Sequence, residues 1–225
     1  MKNNEYAIIV AGGKGTRFNS DVPKQFLELN GIPVLMHTVQ AFLRYDADIN
    51  IIVVLPENEI ATWEKLCTKH SFNVPLILQK GGDTRFQSVK NGLEKIEGDG
   101  LVAIHDGVRP LVGEDIIGAS FRLAAAHQTA VAAVRLTDSI RMTDQVNTKA
   151  MDRSLFRLIQ TPQTFNVSLI KKAYQIKEDP SLTDDASVAE KSGHVISLFE
   201  GSYQNIKITT REDLIVAEAL MKSGK

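Results

Sequence analysis

One cysteine in 225 residues, Cys67, allows neither an intrachain disulfide nor a cysteine-built zinc site, and favours a reducing, cytoplasmic setting. No apolar run approaches the ~20 residues a membrane helix needs, so no membrane partner is expected. The start, MKNNEYAIIVAGG, lacks a long hydrophobic stretch and a small-residue cleavage site, and a signal peptide is not expected either. Nor is there an excess of either charge. The 26 Lys and Arg against 27 Asp and Glu leave a net charge of −1, which disfavours nucleic acid gripped over a long basic surface. Five histidines, at 37, 70, 105, 127 and 194, show no metal-ligand spacing, and no Ser–His–Asp or Cys–His constellation is evident. What remains is ordinary globular composition, in a chain long enough to remove roughly 70–75% of its extended surface from water.

Short continuous apolar runs at 7–10, 51–55, 74–78, 101–105 and 130–134, each bounded by Gly, Pro or polar turns, predict buried strands. Between them, 34–44, 58–69, 85–96 and 114–127 carry apolar residues three or four apart and predict helices. The alternation implies an α/β fold: one Rossmann-like domain over 1–225, with a mostly parallel sheet, helices on both faces, and ligands beyond the carboxyl ends of the strands. Residues 136–156 break the pattern and predict a projecting two-stranded β-arm. An isolated hairpin is marginal in water, so a second copy of the chain is the expected partner and a homodimer follows. Helices at 167–175 and 184–192, strands at 195–199 and 205–208, and a last helix from Thr210 to about Lys222 complete the pattern, with the Thr210 hydroxyl capping the Asp213 amide.

The first strand runs into Gly12-Gly13-Lys14-Gly15-Thr16-Arg17. Its glycines let the backbone approach a ligand closely, with amides free to bind phosphate oxygens. It is not a P-loop, because no Gly-x-x-x-x-Gly-Lys-Ser/Thr is present. Gly13-x-Gly15 begins like a dinucleotide fingerprint, but Phe18 stands where the third glycine belongs and Pro23 discourages a continuous helix, so hydride transfer is disfavoured. The cations Arg17 and Lys24, with Pro23 fixing the backbone before the lysine, suit a triphosphate; the alternative is a tight turn carrying two solvated charges.

Other segments also sit at strand tips. In Gly81-Gly82-Asp83, followed by Ser88, backbone groups and a hydroxyl can read the edge of a base; alternatively Asp83 caps a helix and Ser88 is a small packing residue. Asp106 and Arg109 close the fourth strand. An aspartate there can hold Mg²⁺ or a ribose hydroxyl, and an arginine a phosphate or polyol, unless the two merely pair to close a loop.

Taken together, AGGKGTRFNSDVPKQF, GGDTRFQSV, HDGVRP, TPQTF, TDDAS and NIKIT resemble the 2-C-methyl-D-erythritol 4-phosphate cytidylyltransferases, over residues 5 to 222. The ribitol-5-phosphate cytidylyltransferases share most of these blocks, and a silent nucleotide-binding protein is the alternative of another class. Retention of Arg17, Lys24, Asp106, Arg153 and Lys207 argues against a silent binder. The resemblance implies attack of a polyol phosphate on the α-phosphorus of CTP with Mg²⁺, in the non-mevalonate isoprenoid route. It implies catalytic roles for Arg17, Lys24, Arg153 and Lys207, and nucleotide contacts at Ala11, Gly12, Gly13, Gly15, Gly82, Asp83, Ser88 and Asp106. Asp106, Arg109, Thr137 and Arg153 would meet the polyol phosphate. Asp106 would be the metal contact, with most of the Mg²⁺ shell supplied by CTP. Arg153 would reach the neighbouring subunit's pocket through the arm. Lys207 is expected in a strand, pointing to one face, with a surface edge lysine as the alternative. Gly107-Val108 stands where the family commonly has two alanines.

Overall fold

The computed structural model describes residues 4–12, 22–144 and 146–223. Seven strands form the central sheet: β1 (Glu5–Val10), β4 (Asn50–Leu55), β5 (Ile77–Lys80), β6 (Leu101–Asp106), β7 (Thr129–Arg135), β10 (Arg157–Asn166) and β11 (Leu198–Glu200), in the order β11-β7-β10-β6-β1-β4-β5. β10 runs antiparallel to both its neighbours and the other neighbouring pairs are parallel, so the sheet is mostly parallel, as expected. Two small hairpins lie outside it, β2 (Glu28–Leu29) with β3 (Ile32–Pro33), and β8 (Ile140–Thr143) with β9 (Thr148–Met151). The helices are α1 (Val34–Tyr45), α2 (Glu57–Lys69), α3 (Arg85–Leu93), α4 (Glu114–His127), α5 (Val167–Ala173), α6 (Asp185–Lys191) and α7 (Arg211–Ser223).

The period of two in the strands separates the core into two layers. Ala7 and Ile9 of β1 with Ile51, Val53 and Leu55 of β4 pack under α1, α2 and α4, around Phe42, Trp63 and Phe121. Tyr6, Ile8 and Val10 with Ile52 and Val54 face the other way, against α3, α5 and α6. Both faces of β1, β4 and β6 are therefore buried, and their sequences read as continuous apolar runs rather than alternating ones.

Several expected elements differ. The strand expected at 74–78 is Ile77–Lys80, because Pro75 cannot donate to a ladder. That at 195–199 is Leu198–Glu200. Residues 205–208 form no strand: the Ile208 amide bonds the Val108 carbonyl at 2.9 Å, and the segment joins no ladder. α3 ends at Leu93 and α5 at Ala173, short of the expected 96 and 175. Sequence periodicity missed β10 altogether. The β8–β9 hairpin lies within the expected arm, with Ile140 opposite Met151 and Thr143 opposite Thr148. At α7, Asp213 N–H donates to Thr210 Oγ1 at 3.3 Å while Asp213 Oδ2 accepts the Thr210 amide at 2.8 Å, a reciprocal cap.

Candidate active site

The carboxyl ends of β1, β5 and β6 open on a cleft of about 170 Å³. Ala11 and Gly12 form its floor, where a Cβ on Gly12 would sit 3.8 Å from Ser88 Oγ, so the first strand's exit and the β5–α3 loop face one another closely. Lys24 lines the cleft from a 3-10 turn, Lys24–Phe26. This turn is anchored on both sides: Pro23 precedes it, Phe26 is buried and stacks on Trp63 at 6.4 Å, and the amide of the fully buried Gln25 donates to the Glu59 carboxylate. Gly82, Asp83 and Ser88 line the opposite wall. Thr84, not Asp83, caps α3, its hydroxyl accepting the Gln87 amide at 3.1 Å. Ser88 is more than a packing residue, since its hydroxyl accepts the Gly82 amide at 3.1 Å and donates to the Thr84 carbonyl at 2.8 Å.

Asp106, the last residue of β6, sits at the centre of a cluster of cations. Its Oδ2 accepts Lys207 Nζ at 2.9 Å and Arg109 Nε at 3.3 Å, and its Oδ1 lies 3.8 Å from Arg85 Nε. Burial pushes this carboxyl up, but Arg85, Lys207 and Arg109 outweigh it and hold the group well below the usual carboxylate range. Beside it His105 is wholly buried, and burial drives its pKa down to about 4. The neutral ring donates from Nε2 to the Arg109 carbonyl at 3.2 Å and accepts the Thr161 hydroxyl at Nδ1, 3.0 Å away; Thr161 Oγ1 in turn accepts the Asp106 amide at 3.1 Å. Arg109 also donates to the Asn205 carbonyl at 2.7 Å. Gly107 matters by close approach: a Cβ there would lie 2.9 Å from Ala11 Cβ and 3.0 Å from Leu35 Cδ1, so an alanine would need both to give way.

A second cavity of about 250 Å³ adjoins the first and shares Arg85, Asp106 and Lys207 with it. Arg109, Gln160, Thr161, Gln163, Thr183 and Asp184 contribute the rest of its polar lining. Arg85 and Asp185 were not singled out from the sequence. The Arg85 fork binds the fully buried Asp185 at 2.9 and 2.6 Å, and Tyr174 donates its hydroxyl to the same carboxylate at 2.6 Å. GGDTRFQSV and TDDAS hold these residues in plain view, but nothing local links positions 100 residues apart.

Ala11, Gly12, Lys24, Gly82, Asp83, Ser88, Asp106 and Lys207 are thus gathered around the first cavity, and Arg109 joins them at the second. Arg153 and Thr137 line neither. They meet at the base of the arm, where the Arg153 guanidinium donates to the Thr137 carbonyl. Gly13, Gly15 and Arg17 lie outside the described residues. Among the described residues no three His, Cys, Asp or Glu side chains could together hold a metal ion, and no helix is long and apolar enough to cross a membrane.

A family model described as 2-C-methyl-D-erythritol 4-phosphate cytidylyltransferase matches residues 6–223. A protein of that name from Bacteroides thetaiotaomicron is 47% identical over 214 residues, 95% of this chain and 98% of the relative. Another from Porphyromonas gingivalis is 44% identical, covering 99% of this chain and all of its own length. Among solved structures, the 4-diphosphocytidyl-2C-methyl-D-erythritol synthase of Anaerococcus prevotii superposes with a TM-score of 0.83 at 27% identity, over 98% of this chain and 96% of that one.

Proposed function

Because the chain belongs to the 2-C-methyl-D-erythritol 4-phosphate cytidylyltransferase family, it is a nucleotidyltransferase of isoprenoid biosynthesis, and we propose that CTP occupies the first cavity and the polyol phosphate the second. The carrying observation is the Asp106 cluster, two of whose cations, Arg85 and Lys207, border both cavities at once. In this reading a phosphate-monoester oxygen attacks the α-phosphorus of CTP. A new P–O bond forms, the α–β bridging P–O bond breaks, and pyrophosphate leaves with the electron pair. The nucleophile has a second pKa near ~6 and is largely dianionic at neutral pH, so no side chain must take a proton from it. His105 is not a base here, since both its nitrogens are engaged. The task is to gather anions and stabilise charge around phosphorus, which Lys24, Lys207 and Arg17 are suited to do. Arg109 meets the polyol.

Mg²⁺ fits as a guest of the triphosphate rather than of a protein cage, because no three His, Cys, Asp or Glu side chains among the described residues converge on one point and the Asp106 carboxylate is already met by three cations. When bound, the ion would neutralise phosphate charge. The test of the reading is pyrophosphate release with each polyol phosphate and nucleotide offered separately. 2-C-methyl-D-erythritol 4-phosphate with CTP should turn over far better than ribitol 5-phosphate with CTP. CTP should be preferred over UTP, since leaving one buried polar group unpaired costs ~1–3 kcal/mol. Turnover with ribitol 5-phosphate alone would overturn the substrate assignment.

We propose further that the protein is a homodimer in which the arm carries Arg153 to the second cavity of the neighbouring subunit. Leu155, 79% exposed, with the exposed Met142, Leu158 and Ile159, leaves an apolar surface on and beside the arm that a second chain would cover. If so, Lys24→Ala and Arg153→Ala chains mixed under subunit exchange regain activity: a heterodimer has one site with both lesions and one with neither. At statistical mixing about half the dimers are heterodimers, so recovery toward a quarter of wild-type activity is expected. No recovery despite confirmed exchange, or a monomer in solution, would defeat the shared site.

A further inference from the structure

In the β5–α3 loop, both successive backbone donors are already engaged within the loop and α3. Gly82 N–H goes to Ser88 Oγ at 3.1 Å, and Asp83 N–H goes to Gln87 Oε1 at 3.0 Å. The Ser88 hydroxyl hydrogen is committed as well, to the Thr84 carbonyl. The side-chain amide of Gln87 is oriented by its other end: Nε2 donates to Glu178 Oε2 at 3.1 Å, and an ionised carboxylate can only accept, so the oxygen faces the Asp83 amide. Contact is close enough to dictate residue 82, where a Cβ would fall 2.4 Å from Gln87 Cβ. This stretch of the wall therefore carries oxygens whose hydrogens, and amides whose N–H groups, are already spent. A pyrimidine meeting it finds acceptors. Cytosine presents an amino donor at the ring position where uracil presents a carbonyl acceptor, and only the first is complementary.

We propose that Gln87 is a specificity-determining positioning residue: by holding the Asp83 amide, under the orienting pull of Glu178, it keeps a hydrogen-bond donor out of the nucleotide wall and so sets the choice of a 4-amino over a 4-oxo pyrimidine. The inference rests on the base being read at Gly82, Asp83 and Ser88. Gln87 need not touch the nucleotide; it acts through Asp83. It also ties this loop to the stretch between α5 and α6, whose end supplies Thr183 and Asp184 to the second cavity.

The test compares kcat/KM for CTP and UTP in three proteins: the wild type, Gln87→Leu, and a charge-swapped pair combining Gln87→Glu with Glu178→Gln. Leucine removes the acceptor at similar length and frees the Asp83 N–H for a uracil carbonyl. The CTP-to-UTP ratio should fall about tenfold, the factor carried by one hydrogen bond of ordinary strength. The swapped pair again offers an oxygen to Asp83 and a donor to its partner, and should restore the ratio to within about twofold of wild type. An unchanged ratio in Gln87→Leu would overturn the proposal, as would equal losses with both nucleotides, which is what general loosening of the loop produces. A wild-type ratio near one would instead strike the base-reading wall itself, and the proposal with it.

Discussion

Lys24→Ala is expected to lower kcat by ~10²-fold or more, with little change in folding stability, because losing one pre-placed charge-stabilising donor costs about 3–4 kcal/mol at the transition state. The large effect follows from how the lysine is held. Pro23 sets the backbone before it, the buried Gln25 and Phe26 anchor the turn after it, and the lysine lines the first cavity. A cation on a loose loop would have to be ordered in every turnover; this one is carried on a turn that packs against α2 through Trp63. Steady-state pyrophosphate release, beside urea unfolding of the same variant, checks both halves. A near-normal kcat would show that Lys24 has no part in stabilising charge around the attacked phosphorus.

The largest stability effect is expected from Asp185→Ala. The carboxylate is fully buried, bound bidentately by Arg85 and capped by the Tyr174 hydroxyl. Removing it leaves the guanidinium without its main counter-charge in a desolvated setting, a change that costs about 3–5 kcal/mol. Tyr174→Phe deletes one hydrogen bond of the same group and should cost about 1 kcal/mol. The activity of Asp185→Ala should suffer too, since Arg85 stands 3.8 Å from Asp106 and would be free to swing onto it. Urea unfolding curves report the first effect. A loss below about 1 kcal/mol would mean that the pair does no more than offset its own desolvation.

Strands such as β1, β4 and β6 were legible because both their faces are covered, so every residue in them is under the same demand to be apolar. β10 was not. Its central part is as buried as theirs, yet it reads Gln160-Thr161-Pro162-Gln163-Thr164, because its polar side chains find partners: Thr164 donates to Ser120 at 2.8 Å and Gln163 to Asp184 at 2.9 Å. Hydropathy cannot see a polar residue that is buried and satisfied. The reverse error occurs at 205–208, where alternation suggests a strand but Lys207 is aimed by its bond to Asp106 and by the Ile208–Val108 backbone link. At the site, residues at strand tips were legible from their position and from the family's motifs. Asp185 and Tyr174 were not, because their role exists only through contact with a residue distant in the chain.

The seam between β10 and β6 is short, running from Asn166 opposite Leu101 only as far as Gln163 opposite Ile104. Past that point β10's register against β7 also shifts, between Ile159 and Gln163, and the chain pulls away from β6 instead of zipping on. The next β6 amide, that of Asp106, is met by a threonine hydroxyl in place of a carbonyl. The second cavity is the wedge left by this unzipping, a gap in the weave rather than a hollow scooped from a finished surface. Its width is accordingly set by the length of β10: from Ile159 to Gln163 that strand advances four residues while β7 advances two, so removing two residues there would let the ladder run on and close the second cavity.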